Sequence, residues 1–308
     1  MADSSGTVTK THLSKTERRQ KQRDANPLRA EKMHTARLEH PLPRVEGELP
    51  RLNIGCSGWF YWDWRGPFYP TQMPTNQWFS HYADSFDTVE INASFYAWPT
   101  VAGVKAWLRP LPENRSFVFT VKASELITHI RRFQDCRELI ADFGYIADLL
   151  GPRMGCLLFQ SPPSFHYTRD RLDRIVTQLE PGRRNVVEFR HGSWWNDEVY
   201  AAFRDTGTIF CACSGPALPD DMIRTADEVY VRFHGTETWY DHLYPESEMI
   251  EWARRIADSG AKRVWAYFNN DYHTHAITNA RQLRDALKGM GFGGEERRFA
   301  EGANRMQS

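Results

Sequence analysis

The sequence predicts an α/β fold, a TIM-type (β/α)8 barrel preceded by a disordered N-terminal extension. Three observations carry this: eight short apolar runs, helix-length segments between them, and 308 residues without a second apolar block. A closed eight-fold barrel takes about 250 residues, so one domain uses most of the chain. With 41% apolar and 13% aromatic side chains, the chain can bury one large core. The expected boundaries are 1–50 for the basic extension, 51–290 for the barrel and 291–308 for a flexible tail.

From Met1 to about Pro50, large apolar residues are scarce and Ser, Thr, Lys and Arg are common. Such a segment buries too little surface to offset its ordering entropy, so it is read as disordered. Between Lys10 and Arg37 stand nine Lys or Arg against Glu17, Asp24 and Glu31. That balance would let the tail touch nucleic acid or an acidic partner, although a solvated or weakly helical tail without a fixed partner explains it more simply.

After Pro50 the β-branched and aromatic runs begin. They are "LNIGCSG" (52–58), "TVEINAS" (88–94), "SFVFTVKAS" (116–124), "MGCLLFQSP" (154–162), "NVVEFRHGS" (185–193), "TIFCACSG" (208–215), "EVYVRFHG" (228–235) and "RVWAYFNND" (263–271). Between them, segments such as "CRELIADFGYIADLLG" and "ESEMIEWARRIADSG" repeat apolar residues at three- and four-residue spacing. Strands alternating with helices imply a parallel sheet. An open doubly wound sheet is the rival, but "GCSGWFYWDWRG" is aromatic where a phosphate-binding turn needs small residues.

Ligands of a parallel barrel bind at the carboxyl ends of its strands, so polar residues late in each run are informative. Glu90, Asn92 and Ser94 end the second run, Lys122 the third and Gln160 the fourth. Glu188, Arg190 and His191 end the fifth, Arg232 and His234 the seventh, and Asn269, Asn270 and Asp271 the eighth. Side chains two apart share a strand face, which pairs Glu90 with Asn92, Glu188 with Arg190, and Arg232 with His234.

Two readings follow. In one, the charges form a closed network that satisfies only itself. In the other they form a ligand site: Lys122, Arg190 and Arg232 clamp an anion, Glu188 or Glu90 acts as base, and His234 or His191 moves the proton. Asn92, Gln160, Asn269, Asp271 and Trp59 would complete the substrate contacts. No cofactor is required by the sequence and no metal ligand is assigned. A divalent metal held by His234, His191, Glu188, Asp271 or His273 is the competing idea, which the neighbouring arginines oppose.

The loop "SGWFYWDWRGPFYP" packs Trp59, Tyr61, Trp62, Trp64, Phe68 and Tyr69 into one stretch. It reads either as a stacking wall over the mouth or as a hydrophobic plug. Five cysteines without a CxxC pair speak against a disulfide framework or a structural zinc site. Zero formal net charge, no apolar run of membrane length and no signal-like segment point to a cytoplasmic protein with no membrane partner.

With those residues in hand, the chain resembles the YecE-like family, the domain of unknown function numbered seventy-two. The resemblance rests on "IGCSGWFYWDWRGPFYP", "YADSFDTVEINASFYAWP", "FVFTVKASELITH", "LLFQSPPSF", "VEFRHGSWW", "VYVRFHG" and "YFNNDYHTHAITNA", in that order over residues 52 to 282. It implies a TIM-type barrel and carries Trp59, Glu90, Asn92, Lys122, Gln160, Glu188, Arg190, His191, Arg232, His234, Asn269 and Asp271 as family-pattern positions. This sequence departs from the pattern at Cys56 and at "CACSG", and neither change removes a charge. The family supplies no reaction. The expectation is therefore an enzyme of hydrolase, isomerase or lyase type acting on a small anionic, phosphorylated or sugar-like molecule. A metal-dependent nuclease or repair-type barrel and a non-catalytic binder of an anionic metabolite are the alternatives.

Overall fold

The structure is a computed structural model that describes residues 14–112 and 115–292. The expected flexible tail from 293 onward and residues 1–13 of the extension lie outside the described residues.

All eight expected runs form strands: β1 (Leu52–Cys56), β2 (Thr88–Ile91), β3 (Val118–Lys122), β4 (Met154–Gln160), β5 (Asn185–Glu188), β6 (Ile209–Ser214), β7 (Glu228–Phe233) and β8 (Arg263–Phe268). Every ladder is parallel, and the order runs β1-β8-β7-β6-β5-β4-β3-β2. Strands buried on both faces explain the continuous apolar runs. The seam between β1 and β2 is bridged by a side chain. Tyr82 Oη accepts from the Cys56 amide at 2.8 Å and donates to the Thr88 carbonyl at 3.0 Å. Gly55 makes this approach possible, because a Cβ there would lie 2.4 Å from the Thr88 oxygen.

Helices α2 (Trp78–Ser85), α4 (Val101–Leu108), α5 (Arg137–Leu150), α6 (Arg169–Gln178), α7 (Asp197–Thr206), α8 (Glu246–Asp258) and α9 (His275–Gly289) pack outside the sheet, and α3 (Ala93–Tyr96) is one turn after β2. Side-chain caps start several of them: Thr100 accepts from the Gly103 amide, Thr168 from Arg171 and Asn196 from Val199. The β6–β7 connection is the exception. Residues 215–227 cross without a helix, held by Thr225 Oγ1, which accepts from the Phe210 amide and donates to the Thr208 carbonyl.

The expected disorder over 1–50 is corrected where the extension is described. Residues Lys15–Glu39 form α1, opened by a capping box in which Ser14 and Glu17 bond reciprocally. Its buried residues are Asn26, Ala30 and Met33. Two apolar side chains are little to dock a 25-residue helix, and polar contacts do the rest. Asn26 donates to the Tyr96 carbonyl at 3.2 Å and accepts from the Trp98 amide at 2.9 Å. Arg19 and Arg23 pair with buried Glu125, and His34 and Arg37 with buried Asp142. The apolar-periodicity test misses this helix because hydrogen bonds and ion pairs, rather than an apolar stripe, hold it. Among the described residues, no helix is long and apolar enough to cross a membrane.

Candidate functional site

Inside the barrel the side chains change character from bottom to top. Val118, Cys156, Val186, Ile209 and Trp265 belong to the apolar interior. Next comes a hydroxyl layer in which Tyr267 Oη meets Thr88 Oγ1 at 2.7 Å and Thr120 Oγ1 at 2.9 Å. Above it, Tyr230 Oη donates to Glu90 Oε2 at 2.5 Å. The hydroxyls of this core are thereby bonded to one another or to the charged groups at the mouth, rather than left unpaired.

Those charges form a closed floor. Arg232, fully buried on β7, donates to Glu188 Oε2 and to Glu90 Oε1, each at 2.6 Å. Ser57 Oγ donates to the same Glu90 oxygen at 2.7 Å. Arg190 Nε lies 2.5 Å from Glu188 Oε1, and its guanidinium stacks over Trp239 at 4.5 Å. His234 Nε2 stands 3.0 Å from Arg190 Nη2 and 3.2 Å from Glu188 Oε1, while its Nδ1 is 3.2 Å from Asn269 Nδ2. Every carboxylate oxygen of Glu90 and Glu188 therefore has at least one partner.

The titration behaviour follows from this geometry. Burial would raise the Glu188 carboxyl, but Arg190 and Arg232 outweigh it and hold the group well below the usual carboxylate range. Burial also opposes the charge on Arg232, and Glu188 and Glu90 more than offset it. His234 is pushed well below its ordinary value by burial and then by the two arginines, so its imidazole is neutral. Two buried acids, two arginines and a neutral ring leave the floor balanced in charge.

Above the floor opens a cavity of about 520 Å³ lined by Tyr61, Asn92, Lys122, Tyr240, Asn269 and Asp271 among others. Lys122 enters it from the end of β3 with its Nζ 4.4 Å from the centre of the Phe95 ring. Among the described residues no carboxylate lies within ion-pair distance of it. Burial, with Arg232 next, lowers this amine to about 7. Asp271 is raised to about 6, chiefly by burial, and its Oδ1 has no hydrogen-bond partner among the described residues. Asn92 donates to the Ser57 carbonyl at 3.1 Å, while its buried Oδ1 is likewise unpartnered. Among the described residues, the floor's carboxylate oxygens are all engaged, with only the guanidinium Nε atoms of Arg190 and Arg232 lacking an aligned hydrogen bond, whereas the cavity leaves the acceptors of Asp271 and Asn92 open.

The expected site residues divide accordingly. Glu90, Glu188, Arg190, Arg232, His234 and Asn269 meet in one network, with the two arginines turned to the glutamates rather than held apart as an open clamp. Lys122, Asn92, Asn269 and Asp271 line the cavity. Three residues stand apart. His191 bonds to Ser193 at 2.8 Å and stacks on His166 at 3.8 Å, away from the network. Gln160 donates to the Ser161 carbonyl at 2.7 Å, and Trp59 packs on Phe79. Of the two readings of the aromatic loop, the buried part of it matches the plug. Trp64 and Tyr69 are buried, with Tyr69 stacked on Trp78 at 4.6 Å as a plug, whereas Tyr61 faces the cavity and Trp62 is exposed. Lys15, Asp63, Tyr96, Tyr240 and Tyr272 also line the cavity and were missed; the first belongs to α1, and the others sit in connections without a strand signal.

For a metal, the donor set at the mouth is Glu188, Cys213 and His234, whose ligand atoms lie within 4.8 Å of one another. This set does not suit a cation. Arg190 and Arg232 already occupy both oxygens of Glu188, and a metal would have to displace or face two fixed positive charges. His191 does not join it.

A parallel eight-stranded barrel with charged groups gathered at the carboxyl ends of its strands defines the chain as a TIM-type barrel protein. More particularly, it belongs to the DUF72 family of proteins of unknown function, whose family model matches residues 53–298. The chain is 26% identical over 271 residues to the UPF0759 protein YunF of Bacillus subtilis (strain 168), covering 77% of this chain and 94% of that protein. A crystal structure of a DUF72 family protein from Thermotoga maritima superposes with a TM-score of 0.69 at 28% identity, covering 77% of this chain and 99% of that one. One from Enterococcus faecalis, at 19% identity, shares the fold with a TM-score of 0.66 over 77% and 95% of the two chains. Helix α1 lies outside the residues matched by the family model.

Proposed function

We propose that this barrel is an enzyme acting on a small anionic, hydroxylated metabolite in the cavity above the charged floor, with Lys122 and Asp271 as the proton-transferring pair. One observation carries the reading: Lys122 is the floor's unmatched neighbour, a buried amine near 7 facing the same cavity as an acid near 6. Groups poised this close to neutrality can each give or take a proton at working pH, as general acid–base chemistry requires. An anionic group on the ligand would supply the counter-charge that Lys122 lacks. The tyrosine hydroxyls and amides around the cavity suit a hydroxylated body. Glu90 and Glu188 then act as fixed carboxylates that hold the arginines, and His234 as a neutral spacer between them.

Thermal unfolding in the presence of phosphorylated sugars, carboxylates, nucleotides and divalent metals tests this. A rise in Tm with one class of small anion, lost in Lys122→Met, is the expected result, and assay of that ligand for turnover separates an enzyme from a binding protein. Stabilisation by metal or by nucleic acid alone would overturn the reading in favour of a nuclease-type barrel.

A further inference from the structure

We infer that Lys122 is a nucleophilic amine that forms an imine with a small hydroxylated aldehyde or ketone, which narrows the substrate class of the site proposed above and rests on that proposal. The geometry is specific. Lys122 ends β3 at the carboxyl face of the barrel, where TIM-type active sites stand, and its amine lies against an aromatic ring rather than a carboxylate. The charged groups around it are Arg232, Arg190, Glu188 and Glu90, and the two acids are already engaged by the arginines. Burial and the two arginines disfavour an ammonium and outweigh the cation–π attraction of the Phe95 ring, which keeps a lone pair on nitrogen, the state that attacks a carbonyl. A cavity of about 520 Å³ leaves room for a substrate of a few carbons beside it.

The chemistry balances without an oxidant or reductant. The Nζ lone pair bonds to the carbonyl carbon as the C=O π pair moves to oxygen, and one proton passes from nitrogen to that oxygen to give a carbinolamine. Asp271, in its acid form, protonates the hydroxyl, which leaves as water, and the nitrogen lone pair closes a C=N bond. The products are a lysyl iminium, one water and the Asp271 carboxylate. Once formed, the iminium draws electrons from the adjacent C–H or C–C bond, and Asp271 is then in the form that accepts a proton.

Reductive labelling tests the inference on the full unmodified chain. The protein is incubated at neutral pH with cyanoborohydride and either glycolaldehyde or dihydroxyacetone phosphate, and each lysine is followed by peptide mass spectrometry. The expected result is labelling of Lys122 at least about tenfold faster than exposed Lys105 and Lys288, since an amine lowered to about 7 is about half unprotonated at neutral pH whereas an unperturbed lysine amine is almost wholly protonated there. Labelling of Lys122 no faster than those two lysines with both probes overturns the inference. Stabilisation by a carbonyl-free anion such as 2-phosphoglycolate is measured in parallel. If that stabilisation persists without preferential labelling, the imine falls and the anion-binding reading stands; if neither is seen, both fall.

Discussion

Arg232 on β7 and Lys122 on β3 enter the same barrel interior from opposite walls, yet their surroundings differ completely. Arg232 donates to two buried carboxylates, whereas Lys122 has none within ion-pair distance among the described residues. The floor and the cavity above it thus divide the mouth into a part whose carboxylates are all engaged by cations and hydroxyls and a part that leaves Lys122 without a carboxylate and Asp271 Oδ1 and Asn92 Oδ1 without a donor. A buried ion network is by itself weak grounds for a ligand site, because its members need one another to tolerate burial. What points outward is the remainder: polar groups that folding has desolvated without pairing.

Breaking the floor should have the largest effect. Arg232→Met strips Glu90 and Glu188 of their shared cation, and losing one side of such a pair costs about 3–5 kcal/mol. Urea denaturation reads this directly. A loss below about 1 kcal/mol would mean that the floor does not hold the barrel together and would dissolve the contrast.

In the cavity the sign should reverse. The folded pKa of Asp271 is raised to about 6 from an ordinary 3.8, so its favourable contribution is complete below the lower value and is lost as pH rises through the higher one. Asp271→Asn should therefore match the native protein at acid pH and exceed it in stability well above pH 6, by about 3 kcal/mol. Denaturation curves of both proteins from pH 4 to pH 8 check the crossover. Equal stability of the two throughout would show that Asp271 is solvated like an ordinary surface acid.

The smallest effect belongs to α1, which meets the barrel through polar contacts around few apolar side chains. Asn26→Ala removes the bonds to Tyr96 and Trp98, a loss of about 1 kcal/mol, and should raise amide exchange in α1 while the strands stay protected. Unchanged exchange in α1 would assign its docking to the Arg19, Arg23 and Arg37 pairs instead.

Local pattern alone was enough for the strands, since a buried parallel strand is an apolar run with polar residues at its carboxyl end, as in "NVVEFRH" and "EVYVRFH". It was enough, too, for which charges meet: the two-residue period put Glu90, Glu188, Arg190, Arg232 and His234 over one mouth. Helix α1 escaped it, because a helix docked by asparagine hydrogen bonds and arginine pairs has the composition of a solvated segment. So did the division of labour among the charges. Whether a lysine or an arginine is left without a carboxylate depends on strand register and on distances of 2.5 to 3.2 Å between residues far apart in the chain. Periodicity assigns a side chain to a face; only the assembled barrel, which buries the groups at its mouth to different depths, decides which of them is neutralised and which is left reactive.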